Sequence, residues 1–168
     1  MLIKTVGAVL IMTSGLFIGI SLNKRLTDRV LELKEAADFL VYVKRMIDYE
    51  MPLLSDLFSQ YDRERTGSVI KTIAVYLKTD YSYEASVHKA FEAAEYSSVL
   101  DRKDRDYLCS LFLQLGSSDR ESQITLIENA LRQIECMTKK AEREKESKSK
   151  VYMSVAVYSG AALAILML

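Results

Sequence analysis

His88 and Glu92 stand four residues apart, a spacing that puts an imidazole and a carboxylate on one face of a helix. Such a pair can begin a metal site, but a metal centre takes three or four ligands and His88 is the single histidine of the chain. The pair by itself therefore reads as surface or packing. Cys109 and Cys136 show no CxxC spacing, and neither has a companion base in sequence to make it a thiolate nucleophile. Both read as small apolar fillers. Asp101, Asp104 and Asp106 gather carboxylates, yet they lack the glycine and terminal glutamate of an EF-hand loop and read as an acid-rich helix N-terminus. No glycine-rich loop could cradle a phosphate. The expectation is a non-enzymatic protein with no catalytic, cofactor-binding or metal-binding residues.

The stretch LGSSDRESQ, residues 115–123, is the next place to look, because it is almost wholly polar between two apolar flanks. Gly116 follows the last periodic residue of one helix, where glycine accepts a left-handed conformation. Ser118 and Glu121 match a capping box for the following helix, with Ser118 as N-cap. Asp119 and Glu121 put negative charge at that helix's positive end. Local physics thus describes a tight turn between antiparallel helices and leaves Arg120 without a task. Arg120, Asp119, Glu50 and Met51 are the candidate interaction residues.

Six helices position these groups. Between Asn23 and Lys150 the only proline is Pro52 and the only glycines are Gly67 and Gly116, a scarcity of breakers that argues for an all-α domain. The first helix carries Leu26, Val30, Leu33, Ala37, Leu40 and Ile47 on one stripe and should end near Tyr49. Shorter helices are expected over about 52–60, 68–78 and 83–96, with Ser82 capping the last, and a fifth after Asp101 bearing Leu108, Leu111, Phe112 and Leu115. In the second of the six, Leu53, Leu54, Leu57 and Phe58 should point inward. The sixth begins at Asp119 and carries Ile124, Ile127, Leu131, Ile134, Thr138 and Ala141. It continues through the charged segment KKAEREKESKSK as a helical stalk, with a flexible linker as the alternative. If the first and last helices are continuous and antiparallel, Leu40 lies level with Ile134 and Ile47 with Ile127.

Two uncharged runs flank this domain, Thr5–Leu22 and Val151–Leu168, each 18 residues long. A membrane-spanning helix needs roughly 20 apolar residues, with about 17 as the lower limit. Residues 1–22 and 151–168 therefore read as transmembrane helices around a domain at 23–150. A cleaved signal peptide is the rival for the first run and a core helix for the second. Gly15 and Gly19, and Ala156, Gly160 and Ala164, place small residues every fourth position, as closely packed membrane helices do. Lys139, Lys140, Arg143, Lys145, Lys148 and Lys150 precede the second run, and Lys24, Arg25 and Arg29 follow the first. This bias puts the central domain in the cytoplasm and both termini across the membrane. Lysine plus arginine equals aspartate plus glutamate at 23 each, so no large field recruits nucleic acid.

The segments IDYEMPLLSDLF (47–58) and DYSYEASVHKAFE (80–92), and above all LGSSDRESQ with its ITLIENALRQIE helix, resemble stage III sporulation protein AB of endospore-forming bacteria. That family typically has a glycine between the tyrosine and the Pro-Leu pair, where this chain has Glu50 and Met51. The family is similar to the F-type inner-membrane platform proteins of type II secretion and type IV pilus systems. The resemblance implies a six-helix bundle in the mother-cell membrane around the forespore, as part of a channel complex. The implied partners are other proteins of the stage III sporulation A operon, in particular the AA ATPase, with a homo-oligomer also open. A two-span helical sensor or adaptor unrelated to sporulation is the rival reading.

Overall fold

The computed structural model describes the backbone of residues 2–49, 53–61, 68–79, 81–93 and 99–167, and the side chains of these except in 2–19, 22, 152–153 and 156–167. The described residues form helices α1 (Leu2–Tyr49), α2 (Leu54–Gln60), α3 (Val69–Leu77), α4 (Tyr83–Glu92), α5 (Arg102–Gln114) and α6 (Arg120–Met167), with no strand among them. The all-α reading holds, α1 stops at Tyr49 as expected, and α6 runs through the charged segment without interruption. Glu144 and Lys148 pair there at 3.5 Å, one turn apart. Helix α4 is shorter than expected. It stops at Glu92, with Ala93 leaving the helical region at ψ 133°.

The chain forms two compact units, one of residues 29–139 and one of residues 1–28 with 140–168. Within the second unit the backbone of residues 5–22 and 151–167 is helical. Among the described residues, no helix is long and apolar enough to cross a membrane. The side chains of most of both apolar runs, including those of Ala156 and Ala164 and the surroundings of Gly15, Gly19 and Gly160, lie outside the described residues.

The first unit is organised on α1. Val30, Leu33, Ala36, Phe39, Leu40, Val43 and Ile47 are buried, a set much wider than one stripe. Phe39 stands at the centre, with ring centroids 4.6 Å from Phe58 on α2, 5.0 Å from Tyr61 and 5.8 Å from Phe112 on α5. Phe91 on α4 adds a ring 5.8 Å from Phe112. Tilted and edge-on pairs of this kind are favoured by the aromatic quadrupole. Helix α6 buries a narrower seam of Gln123, Ile127, Ala130, Ile134 and Thr138, in three- and four-residue steps that suit knobs-into-holes packing. Lys44 donates to Glu128 at 2.6 Å and Arg120 meets Asp48, so numbers rise on α1 as they fall on α6 and the two are antiparallel. Leu40, Ile134, Ile47 and Ile127 are all buried.

Two departures from the sequence pattern have clear causes. Leu53, expected inside, is 73% exposed. It is the N-cap of α2, and its backbone carbonyl accepts the first helical bonds from Asp56 and Leu57 while its side chain lies off the packed face. Arg29, counted as a basic residue outside a membrane span, is buried. Its guanidinium reaches Asp104 at 2.7 Å and Asp101 at 2.8 Å. The acid-rich start of α5 is therefore a clamp on α1, because the planar guanidinium presents several donors in a fixed fork. Removing one member of a buried pair strands the other in low dielectric. Arg29→Ala should cost about 3–5 kcal/mol, and Arg29→Met with Asp104→Leu together much less. Chemical denaturation of residues 23–150 checks this, and equal losses in the two variants would refute it.

Candidate docking surface

The C-terminal end of α1, the start of α2 and the turn between α5 and α6 meet at one end of the 29–139 unit. The turn closes α5 and opens α6 within five residues. Leu115 leaves the helix at ψ 135°, and its N–H donates to the Phe112 carbonyl. Gly116 adopts φ +75°, the left-handed conformation expected of it. A β-carbon at this position would lie 2.6 Å from Leu54 Cδ1, so glycine also makes room for α2. The Gly116 N–H donates to Gln123 Oε1 at 3.1 Å, which ties the turn to the next helix.

The cap of α6 sits one residue later than the capping-box pattern places it. Asp119 is the N-cap. Its carbonyl accepts from the Gln123 N–H at 2.9 Å and its Oδ2 from the Ser122 N–H at 3.4 Å. Hydrogen bonds from Ser122 hold the Asp119 carboxyl below its ordinary range. Ser118 Oγ accepts instead from Gln123 Nε2 at 2.8 Å. Gln123 is almost fully buried and claims both Ser118 and the Gln114 carbonyl, leaving Asp119, an equally good cap, to serve the helix end. Glu121, the expected reciprocal partner, is exposed.

Arg120 has a task that its spacing did not reveal. Its Nη2 donates to the backbone carbonyl of Asp48 at 2.6 Å and to Asp48 Oδ1 at 3.2 Å. A cation here satisfies an orphan carbonyl of the last turn of α1 and complements the negative end of its dipole. Arg120 and Asp48 are each about half exposed, so the tie locates the turn more than it stabilises it. Of the other two interaction candidates, Glu50 and Met51 lie outside the described residues. The neighbours on either side of that gap are informative: Tyr49 is 84% and Leu53 73% exposed. Sequence reasoning missed both, having counted Leu53 as core and used Tyr49 only to mark the end of a helix.

A second grouping lies between α4 and α5. His88, Glu92, Arg105, Asp106, Cys109 and Leu113 line a cleft of 470 Å³, and Cys109 Sγ stands 3.9 Å from His88 Nδ1. The base that sequence could not find for Cys109 is thus present in space. The electrostatics oppose a nucleophile. Burial pushes the Cys109 thiol up, Asp106 and Glu92 push it further, and only Arg105 acts the other way. At neutral pH the sulfur keeps its proton. No three of the described His, Cys, Asp and Glu residues are grouped to hold a metal ion.

Two comparisons with known proteins return nothing: no curated protein and no solved structure matches the chain. The model of one family does, that of stage III sporulation protein AB, and it matches residues 4–168. The chain belongs to this family, and its role is accordingly related to sporulation, in association with other stage III sporulation proteins.

Three outcomes test this geometry. Gly116→Val should destabilise residues 23–150 by about 1–3 kcal/mol, the cost of a side chain at positive φ against a packed neighbour. Arg120→Ala should cost only about 0–1 kcal/mol. Both are read by thermal or chemical denaturation, and equal losses would contradict the assignment. Cys109 should be alkylated at pH 7.5 more slowly than the exposed Cys136, with mass spectrometry of the labelled peptides as the readout.

Proposed function

We propose that this chain is a non-enzymatic, membrane-anchored platform component of a sporulation complex, with its helical bundle offering a docking surface to a cytoplasmic ATPase. The observation that carries this reading is the pairing of two uncharged 18-residue runs with uninterrupted helices. A lipid-spanning segment must satisfy every backbone group internally, and a helix does so. At about 1.5 Å per residue, 18 residues extend roughly 27 Å, close to the thickness of the hydrocarbon core. On this reading residues 1–22 and 151–168 are the spans, and Gly15, Gly19, Ala156, Gly160 and Ala164 let those helices pack closely. The six basic residues from Lys139 to Lys150 favour the cytoplasmic side for the bundle. Arg29 no longer adds to that count, which leaves Lys24 and Arg25 at the first span.

Partner and place are part of the same proposal. Among stage III sporulation proteins, the AA ATPase is the proposed partner, and the mother-cell membrane around the forespore the proposed site. The platform role rests on the likeness of the family to F-type platform proteins. A protonated thiol beside a histidine and two carboxylates supports a reading without catalysis.

Anchoring is tested by fractionation of sporulating cells. The full chain should stay in the membrane pellet after an alkaline carbonate wash, and a chain lacking 1–22 and 151–168 should not. Release of the full chain by the wash would remove the anchored reading.

A further inference from the structure

At the end of the 29–139 unit where α1, α2 and the α5–α6 turn meet, two large apolar side chains face solvent, Tyr49 at 84% and Leu53 at 73% exposure. Single exposed apolar residues are ordinary on protein surfaces. These two differ in being close and held. They are four residues apart along the chain, and an extended chain covers at most about 14 Å over that distance. Each closes or opens a helix that is fastened to the same turn. Arg120 holds the last turn of α1 through the Asp48 carbonyl, and Leu54 packs where Gly116 leaves space. The pair is therefore presented on a fixed frame, so little ordering cost attends burying it. Tyrosine in particular is enriched among the few residues that carry most of the energy of an interface.

The rim around the pair is acidic. Asp48, Asp56, Asp119 and Glu121 are all exposed there, against two guanidiniums, Arg45 and Arg120. Arg120 and Asp48 pair with each other, which leaves Asp56, Asp119 and Glu121 against Arg45. Asp119 keeps its charge because Ser122 holds the carboxylate by hydrogen bonds. Such a rim repels an anionic membrane surface and repels a second copy of the same end. It attracts a basic surface and speeds encounter with it.

We propose that Tyr49 and Leu53 are the apolar anchors of a docking site whose occupant is a different protein, one presenting an apolar pocket framed by lysine and arginine. The inference rests on the docking role proposed above and adds to it the place and the chemistry of the partner. The site sits on the frame made by Gly116 and Arg120, neither of which needs to touch the occupant.

Photocrosslinking with the full chain in sporulating cells tests it. Benzoylphenylalanine is placed singly at Tyr49, Leu53, Val75 and Tyr81, all four exposed, the last two on α3 and before α4 as controls. The expected result is a crosslink from positions 49 and 53 to one other protein, identified by mass spectrometry as a stage III sporulation protein with a basic surface, and none from 75 or 81. The yield from position 49 should fall severalfold with Glu121→Lys and less with Glu121→Gln, and should fall as salt is raised in isolated membranes. Circular dichroism of each purified variant verifies the fold. Crosslinks from 75 or 81 but not from 49 or 53 would overturn the site and leave the docking role standing. No crosslink from any of the four would overturn both. Crosslinks from 49 only to a second copy or to lipid, or a yield indifferent to Glu121→Lys and to salt, would overturn the basic partner.

Discussion

Helix α1 has to be buried on more than one side at once, and the 29–139 unit is arranged around that constraint. A helix with a single apolar stripe can be covered by one neighbour. Here α1 meets α2 and α5 through Phe39, α3 through a 3.5 Å hydrogen bond from the Val69 N–H to Glu32, and α6 through Lys44 and Asp48. The price of so broad a face is that charged residues fall inside it. Arg29, Glu32 and Glu35 are all nearly buried. Arg29 is matched by the carboxylates at the start of α5, and Glu32 lies at the positive N-terminal end of α3. The ionic layer thus fixes where α3 and α5 begin, and the aromatic cluster around Phe39 fixes how they pack.

What was legible in the sequence follows the reach of each interaction. Stripes on α5 and α6, the end of α1 at Tyr49, the N-cap Ser82, and the positive φ of Gly116 depend on neighbours within a few residues. Periodicity and capping chemistry report such neighbours directly. Three of the errors are long-range, and those at Leu53 and at the end of α4 are local. Arg29 reads as a basic residue beside an apolar run until Asp101 and Asp104 arrive from more than seventy positions away. Arg120 reads as spare until α1 ends beside it. Cys109 has no base until α4 and α5 pack and bring His88 to it. The cap at Asp119 in place of Ser118 is a subtler case, decided by the buried amide of Gln123, which takes the serine hydroxyl for itself.

These corrections change what the polar turn means. LGSSDRESQ is a structural joint almost throughout, and its arginine belongs to the joint as well. The surface proposed for a partner lies beside it, on Tyr49 and Leu53, with Glu50 and Met51 between them in sequence. A docking component would gain from this division of labour. The joint can hold its geometry with buried groups while the exposed residues next to it are free to match a partner. The proposed spans are consistent with the same economy, since α1 and α6 each include one apolar run and one side of the bundle in a single helix.

Affinity purification of the full chain from detergent-solubilised membranes of sporulating cells, with mass spectrometry of what accompanies it, bears most directly on the platform reading. A platform component should bring down other stage III sporulation proteins, the AA ATPase among them, in stoichiometric amounts and from the membrane fraction. Recovery of the chain alone, or of the ATPase without any membrane-bound partner, would contradict it.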